Sequence, residues 1–131
     1  MSQITAVITD IESVDNLNIV KFDFSGQPLK MMSLGLSEEV AVGKRVILGV
    51  KPTHIAIGKN LSGLLSYSNQ IPSKIISCEH GKLLSSIKLS VQDIMLESII
   101  TLESALSMDL KEDDEVTIMI KASQLSILEV L

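Results

Sequence analysis

Apolar and polar residues alternate in the same order in two stretches of the chain. The stretches are residues 46–57, VILGVKPTHIAI, and residues 116–127, VTIMIKASQLSI, which align without a gap seventy positions apart. In each stretch the apolar positions alternate as in a β-strand, the pattern breaks at Lys-x-Thr/Ser, and a second short strand follows. The pattern therefore predicts the same pair of strands, with the same break between them, twice.

Three more strands precede this pair in the first copy. The turn residues Asp15-Asn16 and Ser25-Gly26-Gln27-Pro28 separate runs that are rich in Ile, Val and Thr, which is the composition of strands joined by hairpins. Two acidic residues after Ser37 predict a capped helical turn. The predicted strands cover residues 3–10, 18–24 and 29–34, and the helical turn covers residues 37–40.

The second copy repeats these elements at low sequence identity. Residues 70–77 match residues 3–10, residues 107–110 match the helical turn, and three extra residues around 92–95 lengthen the predicted hairpin. A repeat of this length is expected to be a structural unit. The sequence thus predicts an all-β protein of two tandem five-stranded units with a short helical turn in each, divided as residues 1–62 and 63–131.

Composition disfavours several function classes. The 131-residue chain carries 11 basic and 16 acidic side chains, a net charge of −5, and only 2% aromatic residues. Nucleic-acid binding requires a basic surface, and single-strand binding adds stacking aromatic side chains. The single cysteine, Cys78, excludes an internal disulfide and fits a reducing compartment. Without a signal-peptide pattern or a long apolar run, a soluble cytoplasmic protein with no membrane contact is predicted.

The Lys-x-Thr/Ser breaks carry the candidate chemistry. A lysine, a hydroxyl and backbone N–H groups within three residues are all hydrogen-bond donors toward an anion. A single break of this kind is typical of a solvated turn, and its repetition favours a functional interpretation. The second break, Lys121-Ala122-Ser123, keeps every backbone donor, whereas Pro52 removes one N–H from Lys51-Pro52-Thr53.

Neither catalysis nor metal binding is indicated elsewhere. No nucleophile lies in a pattern with a base and a residue to orient that base, so the sequence predicts a protein that is not an enzyme. Cys78-Glu79-His80 has potential ligands two residues apart, but it precedes Gly81 and has no second ligand cluster. A loop, with no directly bound metal cation, is predicted there.

Three short motifs of the second copy occur together. They are Ser66-x-x-Asn69-Gln70 before the first strand, Ile100-Thr101 at the end of the third strand, and Val116-x-x-x-Ile120-Lys121-Ala122-Ser123. With this combination the chain resembles the molbindins, the molybdate-binding Mop or TOBE-type domains of storage proteins, regulators and transporters. The resemblance covers the whole chain as two tandem domains. It implies two five-stranded OB-like barrels, the molbindin fold, assembled as a homotrimer with oxyanions bound between subunits.

The resemblance also implies which residues bind the anion, molybdate or tungstate, through backbone amides, hydroxyls and the lysine. The chain departs from the family at Tyr67 and Ser68, where Ala and Arg are typical, which removes one charged donor. Met31 aligns with Thr101, so the first copy's site is predicted to be weaker. The predicted oxyanion-binding residues are Ser66, Tyr67, Ser68, Asn69, Thr101, Lys121, Ala122 and Ser123 in the second copy, and Ser2, Gln3, Lys51, Pro52 and Thr53 in the first.

Three functions are compatible with these observations. The first is reversible binding of molybdate or tungstate for intracellular storage, buffering or homeostasis of molybdenum. The second is an oxyanion-sensing regulatory module that acts on a separate transcription or ABC-transport partner, since the chain has neither a helix-turn-helix pattern nor a Gly-rich phosphate loop. The third, a nucleic-acid-binding OB barrel, is opposed by the charge and the aromatic content.

Overall fold

Both copies fold into antiparallel sheets. The computed structural model describes residues 2–131 and contains two five-stranded sheets. Alternation places Ile71, Ser73 and Ile75 of one strand on its buried face. The strands are β1 (Ser2–Val14), β2 (Leu17–Phe24), β3 (Gln27–Ser33), β4 (Arg45–Val50), β5 (Ala56–Gly58), β6 (Asn69–His80), β7 (Leu84–Val91), β8 (Ile94–Thr101), β9 (Glu115–Ile120) and β10 (Ser126–Val130), and the α-helix is α1 (Leu102–Ser107). The predicted all-β fold is confirmed.

The fifth strand of each copy pairs with the sheet of the other copy. The strand orders are β10-β4-β1-β2-β3 and β5-β9-β6-β7-β8, so β10 completes the first sheet and β5 completes the second. Ser126 lies opposite Gly49, and Gly58 lies opposite Thr117. Each sheet therefore contains residues from both copies, while the division of the sequence between residues 62 and 63 stays a prediction.

One hydrophobic core runs through both copies. Its members include Ile4 and Ile8 on β1 and Ile71 and Ile75 on β6, each 1% exposed. Burial of one isoleucine side chain contributes about 1.5–3 kcal/mol, so the inward positions of the two long strands favour this fold strongly. The copies are thus packed together through a shared core as well as through the exchanged strands.

The hairpins of the two copies have equal length, contrary to the expectation of a longer second hairpin. Lys21 lies opposite Lys30 between β2 and β3, and Lys88 lies opposite Glu97 between β7 and β8. The three extra residues therefore lie between β8 and β9. Because of this register, Met31 corresponds to Ser98, and its alignment with Thr101 is wrong.

The extra residues build α1, which has no counterpart in the first copy. Thr101 caps the helix by accepting a hydrogen bond from the N–H of Ser104 at 3.1 Å. The corresponding first-copy segment forms a single turn, in which the N–H of Val40 donates to the C=O of Ser37 at 3.1 Å. The helical turn expected over residues 107–110 thus lies at the end of α1 and beyond it. Within residues 2–131, no helix is long and apolar enough to cross a membrane.

Cys78-Glu79-His80 forms the end of β6 and not the predicted loop. The ring Nδ1 of His80 is hydrogen-bonded to Ser85 Oγ at 2.7 Å, across the β6–β7 ladder. Burial raises the pKa of the Cys78 thiol, and the carboxylates of Asp114 and Glu112 raise it further. This segment is therefore an ordinary strand end with a protonated thiol at neutral pH.

Candidate functional site

The Lys121 turn, residues 121–124, presents hydrogen-bond donors where β9 ends. Lys121 is extended, with φ −66° and ψ 145°, and the 3-10 helix Ala122–Gln124 follows it. The N–H of Gln124 donates to the C=O of Lys121 at 2.9 Å, whereas the first N–H groups of a helical turn have no partner inside the turn. Since Lys121 and Ser123 are exposed, an ammonium group, a hydroxyl and backbone N–H groups are available to a ligand.

The Lys51 turn, residues 51–54, repeats this geometry. Lys51 is extended, with φ −69° and ψ 139°, before the 3-10 helix Pro52–His54. The N–H of His54 donates to the C=O of Lys51 at 2.8 Å, so His54 closes the turn. Pro52 has no N–H, and the two turns therefore differ by one backbone donor.

Strand register brings each predicted lead segment beside a turn. Asn69 lies opposite Ile120 in the β6–β9 ladder, which puts the preceding Ser68 next to Lys121. In the first copy, Ser2 lies opposite Val50, directly before Lys51. The predicted residues Ser68 and Asn69 thus adjoin the Lys121 turn at one end of the second sheet, and Ser66 and Tyr67 directly precede them in the sequence. In the first sheet, Ser2 and Gln3 adjoin the Lys51 turn.

Each turn also packs on the third strand of the other copy. Contacts join the Lys121 turn to β3 and the Lys51 turn to β8. Ser123 lines a groove of about 620 Å³ together with Ser33 and Ser37 of the first copy. On the other side, the Ser98 hydroxyl donates to the C=O of Ile55 at 2.5 Å. Both candidate sites are therefore bordered by residues from both copies.

Thr101 lies apart from the Lys121 turn within one chain. It pairs with Leu84, near the point where His80 ends β6, whereas the Lys121 turn adjoins Asn69 at the start of β6. Twelve residues of extended chain span roughly 36 Å at about 3.3 Å per residue. Thr101 instead ends β8, the strand against which the Lys51 turn packs. The structure therefore does not bring Thr101 and Lys121 together in one chain.

Ser104 is a candidate donor that the sequence analysis missed. The hydroxyl of Thr101 donates to Ser104 Oγ at 2.9 Å, and both side chains are exposed at the start of α1. The signal is the Thr-x-x-Ser spacing at a helix N-terminus, where a hydroxyl caps the N–H three residues later. It was overlooked because the helix was predicted to begin later in the chain.

Asn69 is completely buried, with 0% exposure. Its Oδ1 accepts from the N–H of Lys30 at 2.7 Å, and its Nδ2 donates to the C=O groups of Lys30 and Ile120 at 2.9 and 3.0 Å. Both amide hydrogens and the oxygen are thus used by protein partners. Any contribution of this side chain to an anion site is therefore indirect, through the positions of Lys30 and Ile120, whose backbone groups it binds.

Known proteins share both the second copy's sequence pattern and the whole fold. Residues 65–127 match the family profile of the TOBE domain. The fold matches that of the cytoplasmic molybdate-binding protein ModG, with a TM-score of 0.90 and 21% identity over 96% of this chain and 94% of that one. A molybdate-binding protein from Sporomusa ovata matches 51% of this chain over 100% of its own, with a TM-score of 0.50 and 24% identity.

At these identities the likeness establishes the fold, and it confirms the predicted molbindin architecture. No curated protein sequence matches the chain significantly. The agreement with ModG extends over both copies, whereas the family match is confined to residues 65–127. The fold of both copies together is therefore shared with a solved structure.

The lead segment of the second copy borders a basic cavity. Ser68 lines this cavity of about 490 Å³ together with Lys21 and Lys30, and no acidic residue contributes to its lining. Gln3, the first-copy counterpart of Gln70, lines a cavity of about 500 Å³ with Arg45 and the acidic Asp23. Basic side chains thus lie beside both lead segments, although the chain as a whole is acidic.

Lys59 anchors the C-terminal end of α1 in the second copy. Its Nζ donates to the C=O groups of Met108 and Asp109 at 3.2 and 2.8 Å and to Asp114 Oδ2 at 3.0 Å. The hydrogen bond from Lys59 is the largest cause that holds the pKa of Asp114 below its usual value. The connector between the copies is therefore anchored to the helix that begins at Thr101 and Ser104.

Replacement of Lys59 by methionine is expected to lower the urea midpoint at neutral pH. A carboxylate with a lowered folded-state pKa stabilises the protein above its unfolded pKa of about 3.9, and this contribution is lost as the pH falls through the folded pKa. The difference in urea midpoint between wild type and Lys59→Met should therefore shrink at pH 3. It should not vanish, because the wild-type lysine still donates to the two carbonyl groups at that pH. Lys74→Met, at an exposed lysine 3.8 Å from Asp113, is the matched control; an equal loss there would contradict the assignment.

Proposed function

We propose that this protein binds molybdate or tungstate reversibly and is not an enzyme. The observation that carries the proposal is the Lys121 turn, in which an exposed lysine, a serine hydroxyl and backbone N–H groups follow one another. The match of the fold to ModG, a molybdate-binding protein, over 96% of the chain supports it. The proposed role is intracellular storage or buffering of the anion in the cytoplasm.

The chemistry of the turn suits a tetrahedral dianion. Charge-assisted hydrogen bonds contribute roughly 1.5–3 kcal/mol each, so a few donors suffice for useful affinity. The net charge of −5 does not oppose binding, because lysine and oriented N–H groups act locally. The lysine and the backbone N–H groups only donate, so the hydrogen of a protonated phosphate finds few acceptors in this turn, and this disfavours phosphate against fully deprotonated molybdate.

The proposed site is shared between chains. Thr101 and the Lys121 turn lie at opposite ends of the second sheet, so a site that uses both requires a second copy of the chain. We therefore propose a homo-oligomer, a trimer as the molbindin resemblance implies, with Thr101 of one chain facing the Lys121 turn of another.

Calorimetry with molybdate, tungstate, sulfate and phosphate tests the proposal. Molybdate and tungstate are expected to bind and to raise the melting temperature, since a ligand of the folded state stabilises by mass action, and sulfate and phosphate should do so far less. Light scattering on the same samples should give about three times the chain mass of 14.2 kDa. Equal shifts for all four anions would refute a selective site, and a monomer mass with molybdate bound would refute the shared one.

A further inference from the structure

The Asn69 side chain makes, at an open sheet edge, the hydrogen bonds that a neighbouring strand would make. β3 is an edge strand of the first sheet, and Lys30 faces Lys21 of β2 on its other side. Edge strands leave alternate N–H and C=O groups unpaired. The amide of Asn69 pairs with both groups of Lys30, at 2.7 and 2.9 Å, as a neighbouring peptide group would.

The same amide also holds the residue directly before the Lys121 turn. Its Nδ2 donates to the C=O of Ile120 at 3.0 Å, and Ile120 is 0% exposed. Asn69 thereby connects three segments: β6, on which it lies, the end of β9, and β3 of the other copy. Asn69 thus fixes the carbonyl group of Ile120, which directly precedes the extended residue Lys121.

Ser2 is the equivalent of Asn69 in the first copy, and it is a weaker link. Ser2 lies opposite Val50 as Asn69 lies opposite Ile120. Its hydroxyl accepts one hydrogen bond, from the N–H of Glu97 at 3.1 Å. The Lys51 turn is held at its far end instead, where the Ser98 hydroxyl donates to Ile55.

We propose that Asn69 is a positioning residue for the oxyanion site, which sets the Lys121 turn against β3 and does not itself contact the anion. This inference rests on the proposed function. A hydrogen-bonded donor set must be held within a fraction of an ångström to select among similar anions. Asn69 makes three hydrogen bonds and Ser2 makes one, so the Lys121 turn is held more firmly in position than the Lys51 turn.

Calorimetry with molybdate on Asn69→Ala and Asn69→Ser tests this role, with Ser98→Ala as the matched control. Ser98 is also 0% exposed and also bridges the copies, but it holds the Lys51 turn. At a temperature where circular dichroism shows each variant folded, Asn69→Ala should bind molybdate about tenfold more weakly, Asn69→Ser should be intermediate, and Ser98→Ala should retain more of the affinity.

Amide hydrogen exchange provides a second readout that does not depend on the ligand. The N–H of Gln124 closes the Lys121 turn and the N–H of His54 closes the Lys51 turn. Asn69→Ala should accelerate exchange at Gln124 more than at His54, and Ser98→Ala should do the reverse. A general loss of stability would accelerate both amides alike.

The outcomes separate the two proposals. If wild type does not bind molybdate, the proposed function is wrong, and the anion-positioning role falls with it. If wild type binds and Asn69→Ala binds equally well, with equal exchange at Gln124, the positioning role is wrong and the function stands. If neither Asn69 variant folds, Asn69 serves the fold as a whole, and its assignment to the turn is overturned.

Discussion

A chain that ends at Leu125 is expected to lose most of its stability. β10 fills one edge of the first sheet, with Ile127 and Val130 packed against the core and the N–H of Leu131 bonded to the C=O of Arg45 at 2.8 Å. Two half-buried apolar side chains and several ladder hydrogen bonds amount to roughly 5 kcal/mol. That loss is comparable with the whole stability of a typical domain, about 5–15 kcal/mol.

Urea unfolding followed by circular dichroism measures this effect. The truncated chain should show no cooperative transition, or one at a much lower urea concentration. Glu129→Ala, at an exposed position of β10, keeps the strand and should leave the midpoint almost unchanged. A truncated chain with the wild-type midpoint would mean that β10 does not complete the first sheet.

Lys121→Ala is expected to weaken molybdate binding tenfold or more. One charge-assisted hydrogen bond of roughly 1.5–3 kcal/mol is removed, and each 1.4 kcal/mol corresponds to a factor of about ten in affinity. The lysine is exposed at a turn, so the free energy of unfolding should change by no more than about 0.5 kcal/mol. Calorimetry and urea unfolding on the same variant measure both quantities.

Lys51→Ala is the matched control, at the equivalent position of the other turn. It should cost less affinity, because Pro52 already removes one backbone donor from that turn. Should Lys51→Ala abolish binding while Lys121→Ala leaves it intact, the assignment of the stronger site would be reversed. If neither substitution changed the affinity, the Lys-x-Thr/Ser interpretation would be mistaken.

Local sequence patterns predict the strands well, because burial follows the alternation of apolar residues. Ile4, Ile8, Ile71 and Ile75 occupy the inward positions that their spacing indicates. The same pattern does not specify which sheet a strand joins. Ala56–Gly58 is a strand of 3 residues, and nothing in so short a sequence distinguishes β9 from β4 as its partner. The exchange of fifth strands was therefore beyond prediction.

Turn chemistry explains the error in the position of the extra residues. The first hairpin has Gly26 at φ 89°, a recognisable signal, whereas the second turns at Gln92, a non-glycine residue at φ 54°. Without that signal, the second hairpin was predicted to be longer than it is. The burial of Asn69 was also not predictable from local sequence, because its main partner, Lys30, lies 39 positions away.

Because the fifth strands are exchanged, each of the two lysine turns connects a strand of one sheet to a strand of the other. The Lys51 turn carries the backbone from β4 in the first sheet to β5 in the second, and the Lys121 turn carries it back from β9 to β10. Both turns are thus crossover points at which the polypeptide leaves one barrel for the other. Under the proposed function, a ligand bound at either crossover contacts the junction of the two barrels, so its binding is expected to stabilise the packing of one barrel on the other.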